Sequence, residues 1–276
     1  MLDSFDYKEP RCVFCDGKEF YYPDSNAPKG RIPVDRVTAK LDALLGKKDY
    51  EGAQSHLSYW LKEAEDLGDE RGALAILNEM TGFYRKTAME KEGLEAVEKA
   101  VALCGKLALD DCVEGATVLL NSATALHSFG KTEKALSLYG KAAKIYERDL
   151  RPDDARLAGL YNNRATSYAS SGMLAEAEKG YLDALKILEK QENSLNEIAV
   201  TYVNLAHVYE ADGQKTFFDI KDALEKAYLY LTDEKTKKDA YNAFMCEKCA
   251  PSFDYFGYGD KGEDLLARAK EIYERT

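Results

Sequence analysis

The chain has 276 residues, 45% of them hydrophobic, with mean hydropathy −0.46 and a net charge of −11. This is the balance of a soluble globular protein. No apolar run approaches the ~20 residues a membrane span needs, and the charges are mixed rather than gathered into the basic face that nucleic acid requires. The start, MLDSFDYKEPR, lacks the basic stretch and apolar core of a secretory signal, so a cytoplasmic protein is expected.

Residues 1–33 form a non-repeat N-terminal segment. Four of the six prolines (Pro10, Pro23, Pro28, Pro33) lie here. Phe14, Phe20, Tyr21, Tyr22 and Ile32 make the segment too apolar for a solvated linker. It is expected to pack on the rest of the chain. It also carries CVFC, with Cys12 and Cys15 at the spacing of half a tetrahedral zinc site.

From residue 34 the chain is nearly free of proline, as long helices require, and it repeats. Six helix pairs are predicted, over 34–67, 69–107, 110–149, 153–191, 194–232 and 235–276. An Asn marks the first helix of four of them: Asn78, Asn121, Asn163 and Asn204. In the first pair Ala39 takes that place. In the second, Asn78 is followed by Met80, Phe83 and Thr87, and an extra residue then shifts the register. In the third, Asn121 is followed by Ala123, Leu126, Gly130, Ala135, Tyr139 and Ala142. The fourth repeats this with Asn163, Ala165, Tyr168, Gly172, Ala177, Tyr181 and Ala184. The fifth begins Asn204, Ala206, Tyr209, Gly213. In the last, Lys248 takes the Asn place and Pro251 interrupts the helix. Each unit reads as helix, glycine-type turn, helix. In the second helix of the third pair, Ala135, Leu138, Tyr139, Ala142, Ile145 and Tyr146 fall on one stripe. Ser194 with Glu197, Asp111 with Glu114 and Asp260 with Glu263 have capping-box spacing or its acidic variant.

This small–large spacing resembles the tetratricopeptide repeat (TPR) over about residues 34–276. Units of some forty residues are similar to the long-period repeats of kinesin light chains and of bacterial peptide-pheromone receptors. The resemblance implies an all-α solenoid of about six antiparallel helix pairs wound into a right-handed superhelix. The first helix of each pair would line a concave groove. Asn78, Asn121, Asn163 and Asn204 would then form one row, and Thr81, Thr124, Thr166 and His207, one turn on, a second. Tyr84, Arg85, His127, Asn162 and Glu210 would share that face.

Asn costs about 0.5–0.7 kcal/mol of helix propensity against Ala, so something offsets it. One account is hydrogen bonding between adjacent repeats. The other is recognition of an extended peptide, since an amide side chain offers both a donor and an acceptor to a peptide unit. The expected function is a scaffold for a protein or extended peptide. The N-terminal segment is a candidate occupant of the groove, and a dimer is a further possibility.

No enzyme is expected. His56, His127 and His207 stand in no metal or triad motif, and no phosphate loop or Ser elbow occurs. No cofactor is required by this reading. The second Cys-x-x-Cys, Cys246 and Cys249, completes a four-thiolate set with Cys12 and Cys15, so a Zn²⁺ site joining the chain ends is the alternative expectation. The protein would then be a zinc- or thiol-responsive sensor whose tail covers the groove. The bland reading of the second pair is that it faces the core of its helix.

Overall fold

The computed structural model describes residues 28–213 and 215–275. Those residues form twelve helices and no strand. They pack as two compact units divided between Leu150 and Arg151. None of the helices is long and apolar enough to cross a membrane.

The N-terminal unit holds three pairs: α1 (Val34–Gly46) with α2 (Tyr50–Leu67), α3 (Glu70–Lys86) with α4 (Glu90–Lys106), and α5 (Val113–Ser128) with α6 (Thr132–Asp149). Small residues set the spacing. Ala53, Ala64, Ala96 and Ala100 are buried among Leu57, Leu74, Ile76 and Phe83, so large side chains of one helix fill the gaps of the next. At Gly115 the approach is closest: a Cβ there would lie 1.8 Å from the carbonyl oxygen of Leu109, so only glycine lets α5 begin under that loop. The α6 stripe is buried at Ala135, Tyr139, Ala142, Ile145 and Tyr146.

The C-terminal unit repeats the arrangement with α7 (Ala155–Ser170) and α8 (Leu174–Leu188), α9 (Leu195–Asp212) and α10 (Phe217–Thr232), and α11 (Ala240–Tyr255) and α12 (Gly259–Arg275). Ala199, Val203 and Ala206 of α9 meet Ala243, Met245 and Phe253 of α11 in one apolar cluster. Within each unit the pairs stack in chain order, which is the α-solenoid architecture.

Several local expectations are corrected. Pro251 lies inside α11 rather than interrupting it. The missing N–H removes one ladder bond, but the proline ring is exposed while Ala250 and Phe253 on either side are buried. Ser194 precedes α9 without capping it, because its hydroxyl turns back to Leu188 O at 2.6 Å and Gln191 O at 3.0 Å. Cys112, not Asp111, is the N-cap of α5, and the Asp111 carboxylate accepts from Arg148 at 2.6 Å. Asp260 lies in the first turn of α12. The capping box that does form is Thr216 with Asp219, at the start of α10.

Candidate functional site

Every Asn of the predicted row is nine-tenths or more buried: Asn78, Asn121, Asn163 and Asn204, with Asn162 beside them. Each is carried on the first helix of its pair. The small residues two places on (Ala123, Ala165, Ala206), all fully buried, press that helix against its neighbours and take the Asn with it.

In the N-terminal unit the row closes on itself. Asn121 Nδ2 donates to Asn78 Oδ1 at 3.0 Å, a rung between α5 and α3. This is the inter-repeat bond of the structural account. Asn121 Oδ1, also buried, is left without a hydrogen-bond partner. In the C-terminal unit Asn162 Oδ1 accepts from Thr201 Oγ1 of α9 at 3.2 Å, a proton that Thr201 shares with Glu197 O at 2.7 Å. Asn162 Nδ2 and Asn204 Nδ2 are buried without a partner.

Two hydroxyls of the Thr row are engaged inside their own helix pairs. Thr124 Oγ1 is 3.0 Å from Leu120 O and 3.0 Å from Tyr139 Oη. Thr166 Oγ1 is 3.1 Å from Asn162 O and 2.9 Å from Tyr181 Oη. A threonine hydroxyl has one proton, which goes to the carbonyl one turn back. The tyrosine therefore donates to the threonine. Tyr139 and Tyr181 are buried on the second helices, where a phenol needs such an acceptor. Burial pushes the Tyr181 phenol well above its ordinary value. Thr117 and Tyr146 make the same bond at 2.7 Å. These bolts inside the pairs were not anticipated. The signal for them was present: a Tyr fifteen residues after Thr124 and after Thr166. Thr81, with no Tyr at that offset, bonds Leu77 O at 2.8 Å.

Tyr84 and Arg85 are buried, and His127 is half-buried. Burial raises the Tyr84 phenol, with a hydrogen bond to Gln54 opposing it. His207, half-buried on α9, has Nε2 2.9 Å from Ser252 Oγ of α11, and Glu210 accepts from Tyr255 at 2.6 Å.

Cys12 and Cys15 lie outside the described residues, as does the stretch 1–27 expected to lie along the groove. Cys246 and Cys249 are fully buried in the apolar cluster of α9, α11 and α12. Burial pushes the Cys246 thiol up to about 11 and that of Cys249 higher still. Both side chains, i and i+3 on one face, pack there as small apolar groups. Among the described residues no three His, Cys, Asp or Glu side chains converge as a metal site.

Solved structures share this fold. The chain is similar to BtubC (BKLC) from P. vanneervenii, with TM-score 0.63 and 23% identity over 71% of this chain and 79% of that one. It is similar to a putative kinesin light chain from Podosopora anserina with nearly identical TPR-like repeats, at TM-score 0.53 and 19% identity over 72% and 94%. The apo form of the quorum sensor NprR from B. thuringiensis gives TM-score 0.60 and 14% identity over 88% and 65%. No curated protein matches the chain. With helix pairs of this kind and these likenesses, the protein has a TPR-like repeat fold. The model of one protein family, described as glycyl radical enzyme YjjI-like, matches residues 34–233, well over half of the chain, and the chain belongs to that YjjI-like family.

Proposed function

We propose that the protein is a binding scaffold for an extended protein or peptide segment, read through amide side chains of the first helices. The observation that carries this lies in the C-terminal unit, where the buried amide nitrogens Asn162 Nδ2 of α7 and Asn204 Nδ2 of α9 have no partner. Leaving a buried polar group unpaired costs about 1–3 kcal/mol. Ala at any of these positions would avoid that cost and improve helix propensity. The donor capacity left over suits the C=O groups of a peptide backbone and no particular side-chain sequence. The kinesin-light-chain-like and quorum-sensor likenesses support a scaffold or receptor role. The family's description names an enzyme, whereas the amides of the candidate row supply binding chemistry. The Thr side chains belong to the frame of the site rather than to its reading surface.

A displayed library of extended peptides, selected on the full chain, tests the reading. Recovered peptides are expected to lose binding to the Asn162→Ala, Asn204→Ala double variant. Equal binding to a folded double variant would reject it.

A further inference from the structure

The helix stripe that carries the Asn row is open in one helix pair and shut in another. On α11, where Lys248 takes the Asn place, the stripe is Phe244, Lys248, Pro251 and Tyr255. All four are exposed, Phe244 to 40% and Tyr255 to 64%. A solenoid leaves this face of its first helices to solvent, since the second helices stack behind it. On α3 the same stripe is Leu74, Asn78, Thr81 and Arg85, and none of them is more than 8% exposed. On α5, Thr117, Asn121 and Thr124 are buried as well. An edge effect at the last pair does not explain the contrast. α9 has α7 and α11 on either side, yet its stripe opens at His207 and Ala211.

The neighbouring helices do not account for the shut face. α3 packs on α1, α2, α4 and α5. Of these, α2 and α4 are second helices, behind the stripe, and α1 and α5 flank it. Asn78 turns sideways to meet Asn121 of α5. Arg85, in the last turn, has a stem long enough to carry its guanidinium to water from any open face, and arginine is almost never fully buried on one. Its burial calls for a cover drawn from the rest of the chain.

The described chain begins beside this face. Lys29 N donates to Leu67 O at 2.8 Å, and Ile32 N to Asp69, the N-cap of α3, at 3.0 Å. Ile32 is buried against Gly72 in the first turn of α3. Just upstream stands CVFCDGKEFYYPDSNA, residues 12–27. Extended, it spans at most about 55 Å. The length of α3 is about 25 Å, and the step to α5 about 10 Å. Phe14, Phe20, Tyr21 and Tyr22 supply apolar surface to shield the stripe. Asp16, Glu19 and Asp24 outnumber Lys18, the right sign for a face that holds Arg85. We propose that residues 12–27 lie along the α3–α5 face of their own unit as a built-in occupant that closes it to other segments. This concerns the N-terminal unit alone and stands whether or not the amides of α7 and α9 bind a peptide.

Photo-cross-linking of the full chain tests it, with a benzophenone amino acid in place of Tyr21 and light and heavy isotope chains mixed. The cross-links are expected within 70–86 and 113–128, and inside one chain. A second measurement uses the full chain carrying Phe20→Ala, Tyr21→Ala and Tyr22→Ala. Its Arg85 should react with phenylglyoxal at a rate raised toward that of Arg36, which is exposed on α1. Circular dichroism of the variant should keep the helix signal. If the triple variant does not fold, the cross-link in the otherwise natural chain decides. Cross-links between light and heavy chains would mean that a second copy covers the face. That result, cross-links to other helices, no cross-link at all, or an unchanged Arg85 rate in the folded variant would overturn the proposal.

Discussion

The seam between α3 and α5 and the seam between α9 and α11 place an Asn at the same point of the repeat and use it differently. In the first, Asn78 and Asn121 hold each other. In the second, Asn204 has no partner for its Nδ2, and the tie is made eight residues earlier on α9, by Asn196 with Asn242 of α11. The units differ at their turns too. Lys48 and Ala88 close the first two pairs at φ 57 and 55, whereas Gly172, Gly213 and Gly257 take that place throughout the C-terminal unit. A repeat position thus fixes where a side chain stands. Its role depends on what the neighbouring helix offers.

The sharpest way to break the comparison is Asn242→Ala. Asn242 is fully buried, donates to Asn196 and Leu231 O, and accepts from Arg268 Nε at 3.2 Å. Its loss leaves several buried groups unpaired, and denaturant unfolding should show a cost of about 3 kcal/mol. Asn121→Ala should cost less, about 1 kcal/mol. It strands Asn78 Oδ1, but it removes an unpaired oxygen and gains helix propensity. If the seams differ as described, Asn204→Ala leaves stability unchanged or raises it by about 0.5 kcal/mol. Equal losses for Asn121→Ala and Asn204→Ala would erase the distinction between the seams.

Tyr139→Phe and Tyr181→Phe probe what the units have in common, the bolt inside a pair. Each should cost about 1 kcal/mol, one in each unit, since the threonine keeps its backbone bond. The turns give effects of opposite sign. Gly172→Ala, with open space around it but φ at +74, should destabilise by about 1 kcal/mol. Ala88→Gly should stabilise by about 0.5 kcal/mol, as relief of the left-handed backbone outweighs the added freedom of the unfolded chain. Thermal melts of the two variants beside wild type resolve the sign.

Much of this architecture is legible in the sequence because the repeat pattern is itself a record of helix packing. Ala135, Tyr139 and Ala142 recur at fixed offsets since those are the places where helices touch, and the pair predicted over 110–149 is observed as Val113–Asp149. The site was less legible. Placing Thr124 on the Asn face used spacing within one helix, and the partner that claims its hydroxyl acceptor is Tyr139 of the next. Ser194 has the spacing of a cap, but Leu188 O competes for its hydroxyl. Nothing in the one-dimensional pattern distinguishes Asn121 from Asn204. Only the approach of a second amide does that.

The burial of Cys246 and Cys249 has a practical consequence. Both thiols are shielded in the core between α9, α11 and α12, and held protonated by it. An alkylating reagent needs the exposed thiolate, so these two sulfurs should stay silent until the last helix pair opens. Mass-resolved alkylation at α11 is therefore a built-in clock for that opening, present in the natural chain with no label to add.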